Sequence, residues 1–303
     1  MQHCVLLSQH LRRESGYSEP AFDRRDGEAT GKIGGAVAEM LCEEGLEARL
    51  LVRDACRAPG WAQDVAVTGY ADRATAIEAL TGVDILFMVS AAESEDRLEQ
   101  HLAFIAAAVQ AGVKHVVYTS FLGASPQATF TLARTHWSTE QALRDSGMGC
   151  TLLRDSFYTD FFIDIAGEGS ITGPAGDGRV GAVARADVAA SAAAILKDLA
   201  AGERCHDGVT YDLTGPEAFT MEEAARTITE VTGRKTVYHE ETIEEAYGSR
   251  AHYDVPDWEK DAWVSTYTAI AAGELDVISD TVEQLTRRRS LSLHDLLVKS
   301  CSS

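Results

Sequence analysis

Basic residues are scarce in this chain. Its 303 residues include 27 Lys and Arg against 47 Asp and Glu, which gives a formal net charge of −20. Proteins that bind a phosphate backbone usually carry a basic face on which their affinity depends. The longest basic run, Arg287–Arg289, is short and typical of a solvated helix end. The charge balance therefore argues against a nucleic-acid partner.

Long apolar runs and paired cysteines are also missing. No stretch reaches the roughly 18 apolar residues that a membrane-spanning helix needs. The six cysteines are scattered without a CxxC pair, which is typical of reduced thiols rather than of disulfides or a zinc site. The apolar patch Cys4–Leu7 precedes charged residues, the reverse of a secretory signal. We therefore expect a cytoplasmic protein with no membrane partner.

Three catalytic motifs are absent as well. The chain has no HExxH pair, no GxxxxGK phosphate loop and no GxSxG nucleophile elbow. These absences argue against a metal site, a P-loop nucleotide site and a serine nucleophile. The chemistry must therefore be sought in another constellation of residues.

From Gly27 onward, short apolar runs alternate with amphipathic segments. The pattern predicts helices around Gly34–Cys42, Ala74–Leu80, Ser94–Ala111 and Trp137–Ser146, and strands at Ala48–Val52, Asp84–Val89, His115–Thr119 and Cys150–Leu153. Such alternation is typical of βαβ units. The sequence therefore predicts an α/β fold of the Rossmann type, with a doubly wound parallel sheet covered on both faces.

The alternation of apolar runs and amphipathic segments is less regular after Arg154. The stretch Gly167–Gly181 holds six glycines and one proline, which predicts a loop or hairpin rather than a core element. A helix at Asp187–Leu199, a strand at Val209–Leu213 and a helical tail at Trp258–Lys299 predict a smaller C-terminal α+β lobe. We therefore divide the chain into an atypical extension (1–26), a Rossmann domain (27–154) and a substrate-side lobe (155–303) interleaved with it.

A glycine-containing segment opens the first helix. Residues 28–35 read EATGKIGG, so that Gly31 and Gly34 fit the last two glycines of a GxxGxxG pattern, with Glu28 at the first position. Glycines at a helix start let the backbone approach a pyrophosphate, whose charge meets free N–H groups and the helix dipole. Taken alone, the segment fits a helix-packing glycine pair equally well.

Arg53 follows the second strand, twenty-two residues after Gly31. An acidic residue at this place binds the ribose of NAD, whereas an arginine suits the 2′-phosphate of NADP. The sequence therefore predicts NADP (NADPH) as cofactor, while Asp54 leaves the use of NAD open. A surface arginine at a strand end is the alternative interpretation.

Small residues follow the next two predicted strands. Ser90 and Ala91 come directly after the strand ending at Val89, and Ser120 follows the strand ending at Thr119. Ligands of open α/β sheets bind beyond the carboxyl ends of the strands. We therefore expect these three residues to line a cofactor cleft.

Five segments together carry a resemblance to a known family. They are Ala29–Gly35, Leu51–Arg53, His136–Gly147 (HWSTEQALRDSG), Leu153–Tyr158 (LRDSFY) and Arg185–Ala189 (RADVA). With them the chain resembles the NmrA-like branch of the atypical short-chain dehydrogenases, and within it the NAD(P)H:quinone oxidoreductase type 2 group. The resemblance covers residues 29–297 and implies an NADP-binding function for residues 27–154.

The resemblance also implies a place for each candidate residue. The turn of Ala29, Thr30, Gly31, Lys32 and Ile33 would hold the pyrophosphate, and Arg53 the 2′-phosphate. Ser90 and Ala91 would lie along the path of the adenosine ribose. The segment Asp155, Ser156, Phe157 and Tyr158 would border the nicotinamide, and Arg185 would lie near the cofactor or the substrate mouth.

The chain departs from the family pattern at two places, and it also lacks a motif of the typical short-chain dehydrogenases. Charged residues precede the glycine turn and Glu28 replaces its first glycine, although a carboxylate repels a pyrophosphate. The pair Asp155-Ser156 stands where the family pattern resembles proline–glycine or asparagine–glycine. None of the nine tyrosines has a lysine four residues later, so the tyrosine–lysine proton donor of typical short-chain dehydrogenases is missing.

Quinone reduction does not require that pair. Hydride goes to an electrophilic ring, and the proton can come from water or from a nearby side chain. His136 is our first candidate, because histidine titrates near neutral pH; a structural histidine bonded to Glu140 one helical turn away is the alternative. Tyr158 is the second candidate, and a packed aromatic ring is its alternative.

These observations predict an NADPH-dependent oxidoreductase that transfers hydride to a quinone-like small electrophile. Its partner would be a small-molecule substrate, and the protein a monomer or homodimer. The alternative is a regulator of NmrA type that senses NAD(P) without catalytic turnover and changes its affinity for a protein partner. The missing tyrosine–lysine pair favours that alternative.

Overall fold

The computed structural model describes residues 4–7, 32–165 and 168–301. Seven strands, numbered along the chain, form its largest sheet: β1 (Cys4–Leu7), β2 (Arg49–Val52), β3 (Asp64–Val67), β4 (Ile85–Met88), β5 (His115–Phe121), β6 (Gly149–Asp155) and β9 (Thr210–Leu213). Their order in the sheet is β3-β2-β1-β4-β5-β6-β9. Four shorter strands, β7 (Ser170–Gly173), β8 (Arg179–Val180), β10 (Phe219–Thr220) and β11 (Val237–Glu240), form the pairs β10–β8 and β11–β7.

Eleven α-helices are found in the described ranges. They are α1 (Lys32–Glu43), α2 (Arg73–Leu80), α3 (Arg97–Ala111), α4 (Thr131–Asp145), α5 (Asp160–Ile165), α6 (Arg185–Ala200), α7 (Met221–Thr232), α8 (Ile243–Arg250), α9 (Asp257–Ala271), α10 (Thr281–Thr286) and α11 (Leu293–Cys301). No helix among the described residues is long and apolar enough to cross a membrane. The predicted Rossmann-type α/β fold is confirmed.

One strand in the middle of the sheet runs against its neighbours. β1 pairs antiparallel with β2, placing Cys4 opposite Leu51, and antiparallel with β4, placing Leu7 opposite Ile85. The pairs β2–β3 and β4–β5 are parallel. Residues 4–7 therefore lie between β2 and β4 in the sheet as a strand of reversed direction.

The chain forms two compact units by its internal contacts. The first consists of Met1–Thr119, Ser138–Leu153 and Ala189–Tyr211, and the second of Ser120–Trp137, Arg154–Val188 and Asp212–Ser303. Each unit draws on several stretches of the sequence. The division at residues 26 and 154 remains a prediction.

The core of the first unit lies on its strands and on α2 and α3. Leu86, Met88, Phe104 and Leu152 are all fully buried in one apolar cluster. Burial of one such side chain contributes about 1.5–3 kcal/mol. β4 is buried along its whole length, which explains why its short apolar run could be recognised as a strand.

The second unit has its own core and sharply capped helices. Ile171, Val180, Ile228 and Leu297 lie fully buried in one cluster. At α7 the Thr220 hydroxyl accepts from the Glu223 N–H, and the Glu223 carboxylate accepts from the Thr220 N–H. The same reciprocal pairing of Thr242 and Glu245 opens α8. Such caps satisfy backbone N–H groups that the helix itself leaves unpaired.

Two predictions about local structure were wrong. The stretch Gly167–Gly181 contains strands β7 and β8, and its residues Ile171 and Val180 are fully buried in the core. Its glycines permit close packing: a Cβ on Gly178 would lie 2.2 Å from the carbonyl oxygen of Ile270. Strand β3 was not predicted, because its burial pattern is exposed at both ends and its run of apolar residues is very short.

Asp187 ties the start of α6 to the segment before α11. The carboxylate is fully buried and accepts from the Leu291 N–H and from Nη1 of Arg288, both at 2.7 Å. We expect Asp187→Ala to lower the free energy of unfolding by about 2–3 kcal/mol, because the Leu291 N–H loses a charged acceptor. Urea unfolding measures the change. The control Asp177→Ala removes an exposed carboxylate and should change stability by less than about 0.5 kcal/mol.

Candidate functional site

Arg53 follows the carboxyl end of β2 and lines a cavity of about 220 Å³. The other lining residues come from β2, from the segment after β3 and from α3: Leu51, Thr68, Gly69, Tyr70, Ala71 and Gln100. Arg53 itself is exposed to solvent. Sites for whole small molecules usually measure roughly 300–1,000 Å³, so this cavity suits one portion of a dinucleotide.

Hydrogen bonds and stacking hold the cavity wall in place. The Thr68 N–H donates to the Val52 carbonyl at 2.9 Å, which continues the pairing of β2 and β3. The Tyr70 hydroxyl donates to the Val89 carbonyl at 2.6 Å, and its ring stacks on Phe104 with 4.2 Å between centroids. A wall fixed by such contacts lowers the entropic cost of ligand binding.

Sequence reasoning found Arg53 but missed Thr68, Gly69 and Tyr70. These three residues follow β3, the strand that the apolar pattern failed to indicate. Once β3 is known, the rule that ligands bind beyond strand carboxyl ends selects them at once. The signal that could have found them is the segment Thr68-Gly69-Tyr70. It follows the next strand along the chain after the strand that Arg53 follows.

Ser90 and Ala91 lie at the carboxyl end of β4, as expected. The Ser90 N–H donates to the Thr119 hydroxyl at 2.8 Å, and the Ala91 N–H donates to Nε2 of His101 at 2.7 Å. Both backbone donors are thus used within the protein. The Ser90 side chain is half-buried, while Ala91 is buried.

His101 is a positioning residue that sequence reasoning missed. It is fully buried, and burial together with the charge of Arg97 lowers its pKa to about 3. The ring is therefore neutral at physiological pH. Since Nε2 accepts from Ala91, Nδ1 carries the hydrogen and donates to the Thr139 hydroxyl at 2.8 Å. His101, which comes ten residues after Ala91 in the sequence, therefore holds the loop after β4 in place.

The glycine turn falls at the edge of the described chain. Ala29, Thr30 and Gly31, predicted to hold a pyrophosphate, lie outside the described residues, as does Glu28. Lys32 is exposed at the first position of α1, and Ile33 is buried against the core. The N-terminal turn of α1 thus presents a cation, and its free N–H groups add to the positive end of the helix dipole.

Four predicted residues lie together at the end of β6. The Ser156 N–H donates to the Leu213 carbonyl at 3.1 Å, and the Val183 N–H donates to the Phe157 carbonyl at 2.8 Å. The Tyr158 hydroxyl donates to Oδ2 of Asp155 at 3.1 Å. Backbone pairing on both sides therefore holds this segment firmly in one conformation.

Arg185 joins this group from the start of α6. Its guanidinium carbon lies 5.0 Å from the centre of the Tyr158 ring, a cation–π contact. Its N–H donates to Oδ2 of Asp160 at 2.9 Å, and its Nη1 lies 3.9 Å from Oδ1 of the same carboxylate. The structure thus brings Arg185 and Tyr158 together, although they are twenty-seven residues apart.

An aromatic cluster surrounds Phe157. Its ring centroid lies 5.4 Å from that of Phe121 and 5.6 Å from that of Phe130, and Phe121 lies 6.1 Å from the ring of His136. Phe121 and Phe157 are half-buried, whereas His136 is only 5% exposed and the predicted Ser120 3%. Phe121 and Phe130 were also missed, because isolated phenylalanines do not differ in sequence from core residues.

The polar groups fit the cofactor that the sequence predicts. Arg53 supplies a cation beside a cavity, and Lys32 another at a helix start. Among the described residues, the buried side-chain oxygens Oδ1 of Asp155 and Oγ of Ser156 have no hydrogen-bond partner. Buried polar atoms without partners are costly in a folded protein, and a carboxamide offers the donors and acceptor that they lack.

Known proteins are similar to this chain over most of its length. Residues 29–199 match the family model described as NAD(P)H-binding. Quinone oxidoreductase 2 of Escherichia coli (strain K12) is 32% identical over 268 residues, covering 85% of this chain and 91% of the relative. The NAD(P)H azoreductase of Xenophilus azovorans is 30% identical over 266 residues, covering 86% and 91%.

A solved structure extends the likeness to three dimensions. The crystal structure of the NADPH-dependent quinone oxidoreductase QOR2 from Escherichia coli with NADPH has a TM-score of 0.82 and 30% identity, covering 90% of this chain and 98% of that one. The predicted resemblance and the predicted class of cofactor are confirmed. This chain belongs to the NAD(P)H-binding family, and quinone oxidoreductase 2 of Escherichia coli is among its relatives.

Proposed function

We propose that this protein is an NADPH-dependent reductase that transfers hydride to a quinone-like aromatic electrophile. The placement of Arg53 beside a preformed cavity at the carboxyl end of β2 carries the proposal. The relatives described as a quinone oxidoreductase and an azoreductase support it, since both names denote reduction of unsaturated, electron-poor molecules.

The adenosine end of the cofactor would lie beside Arg53. Arg53 would bind the 2′-phosphate through a charge-assisted contact, because its guanidinium matches the geometry of a phosphate. Tyr70 would offer a fixed ring beside the adenosine, and the residues Ala29, Thr30, Gly31, Lys32 and Ile33 would hold the pyrophosphate at the start of α1. Ser90 and Ala91 would border the ribose.

Residues 155–158 would border the nicotinamide, as the family resemblance implies. Ser156 would offer its buried hydroxyl to the carboxamide. The rings of Phe121, Phe130 and Phe157 would offer a flat apolar wall, on which an aromatic substrate can stack in offset or edge-to-face geometry. Arg185 would hold the negative charge that develops on the reduced substrate. Ser120 would line the cofactor cleft.

The bound cofactor supplies a hydride, and the protein must supply one proton. Tyr158 is the donor that the geometry favours, because its hydroxyl is hydrogen-bonded to Asp155 and its ring is half-buried under Arg185. The cation above the ring stabilises the tyrosinate that remains after proton transfer. His136 is the second candidate, since it lies beside Phe121 at the edge of the aromatic cluster.

Selectivity for NADPH tests the assignment of Arg53. We expect Arg53→Ala to weaken NADPH binding about 10- to 100-fold, the loss of charge-assisted contacts worth about 1.5–3 kcal/mol, and to leave NADH binding within twofold. Intrinsic fluorescence titration with both cofactors measures this. The control Arg73→Ala removes another exposed arginine of the same unit, whose guanidinium donates to Gln110, and should change neither affinity. Equal losses for both cofactors, or a wild type that binds neither, would contradict the assignment.

The proton donor is tested by steady-state NADPH oxidation with a panel of quinones. We expect Tyr158→Phe to lower kcat about 100-fold while the KM for NADPH stays within twofold, because a general acid contributes to the chemical step. The control Tyr247→Phe removes an exposed hydroxyl bonded to Asp261 and should leave kcat unchanged. A loss confined to His136→Gln would transfer the donor role to that histidine.

The regulatory alternative differs from a reductase in lacking turnover and in having a protein partner. A sensor of NAD(P) would bind NADPH as tightly as a reductase but would not oxidise it in the presence of any quinone. Two relatives are named as an oxidoreductase and an azoreductase, which favours an enzyme with turnover over a sensor. A small-molecule substrate, a monomeric or homodimeric state and a cytoplasmic location complete the proposal.

A further inference from the structure

Three buried side-chain oxygens lie without partners within five residues of the chain. They are Oδ1 of Asp155, Oγ of Ser156 and Oγ1 of Thr159, and no other described residue offers them a hydrogen bond. The three residues are at most 1% exposed. Backbone pairing of Thr159 and Phe157 with Val183 holds the segment in place. A cluster of unsatisfied oxygens in a rigid segment calls for a functional explanation.

Asp155 is the one carboxyl group in this cluster. Burial raises its pKa well above the ordinary value, and the hydrogen bond from Tyr158 opposes that shift without cancelling it. A buried carboxylate with one hydrogen bond and an unsatisfied second oxygen is unfavourable, whereas the neutral acid carries no charge into the apolar surroundings. Burial and the unsatisfied Oδ1 therefore favour the protonated form of Asp155.

The charged groups nearby are engaged elsewhere. On α6, the guanidinium of Arg185 lies over the ring of Tyr158 and beside the carboxylate of Asp160 on α5. On β9, Asp212 precedes Leu213, whose carbonyl pairs with the Ser156 N–H. Tyr158 is the titratable group in direct contact with Asp155. A cation that would favour the ionised form of Asp155 is thus held by another partner.

We propose that Asp155 is the proton store of the reductase, returning a proton to Tyr158 after Tyr158 has protonated the reduced substrate. This inference rests on the function proposed above. It assigns a role to a residue that stands where the family pattern resembles asparagine or proline. Neither of those side chains can release a proton at physiological pH.

The proposed steps balance in atoms and charge. The substrate ring accepts a hydride and becomes an oxyanion, to which the O–H of Tyr158 gives its proton. The tyrosinate can no longer donate to Asp155 and becomes the acceptor of this contact, 3.1 Å between Tyr158 Oη and Asp155 Oδ2 in the structure. The carboxyl group turns its O–H toward Tyr158 Oη and transfers its proton. The O–H bond of Asp155 breaks, that of Tyr158 re-forms, and the buried carboxylate is reprotonated from solvent before the next turnover.

The proposal fixes the sign of a pH dependence. Because the protonated acid is the active form, kcat falls as pH rises through the pKa of Asp155. The neutral amide of Asp155→Asn accepts the same hydrogen bond from Tyr158 but stores no proton. We expect this variant to lose about 10- to 100-fold in kcat and to lose the pH-dependent limb, with an unchanged KM for NADPH.

The double variant Asp155→Asn/Tyr158→Phe shows whether the two residues act on kcat through one proton-transfer route or independently. If Asp155 acts through Tyr158, Asp155→Asn lowers kcat by less than twofold in the Tyr158→Phe background. Independent effects would multiply, and that result would overturn the proposal. A wild-type enzyme that oxidises NADPH with quinones, together with an Asp155→Asn variant that keeps both kcat and the pH profile, would also overturn it.

A measurement without turnover tests the stored proton directly. Infrared difference spectra of wild type against Asp155→Asn at neutral pH should show the carbonyl stretch of a neutral, buried carboxyl group. The control Asp177→Asn removes an exposed aspartate and should leave that carbonyl stretch in place. A carboxylate signature from Asp155 would overturn the proposal, whether or not quinones are reduced. Failure of the reductase assignment alone appears instead as tight NADPH binding with a neutral Asp155 and no turnover.

Discussion

Backbone pairing at the end of β6 is the constraint on which the second half of the site depends. The Leu122 N–H donates to the Asp155 carbonyl, the Ser156 N–H to Leu213, and Val183 exchanges bonds with Phe157 and Thr159. These bonds fix the backbone of residues 155–159, so the side chains cannot relax to satisfy their own oxygens. The unpartnered oxygens, the tyrosine–aspartate contact and the cation over the tyrosine ring all follow from this rigidity.

Much of the fold could be predicted because its strands are short, apolar and fully buried. β4 and β5 have no exposed positions along most of their length, so each gives an unambiguous run between two helical patterns. β3 could not be predicted in this way, since half-exposed residues do not form such a run. For the segment 167–181 the prediction of a loop or hairpin was wrong because of its many glycines. Its glycines indicate a loop, yet they are there to let neighbouring backbone approach closely, as at Gly178.

The candidate site was predictable where the chemistry is local and unpredictable where it depends on burial. Arg53 and the loop after β4 follow from the position of strand ends. The lowered pKa of His101 and the raised pKa of Asp155 cannot be inferred from sequence, because both arise from the surroundings that the fold provides. The sequence does show that Asp155 departs from the family pattern. The structure adds that the residue is buried. A carboxyl group in such a place can hold and release a proton, whereas an amide cannot.

The reversed direction of β1 bears on the handedness of the sheet. The strong preference for right-handed crossovers applies to parallel strands joined through a helix. Because β1 is antiparallel to β2, the connection through α1 is exempt from that preference. The unit β4–α3–β5 joins adjacent parallel strands and is subject to it. The parallel pair β2–β3 is subject to it as well. The handedness of the sheet therefore depends on the connections between its parallel strands, and the connection from β1 to β2 adds no constraint of this kind.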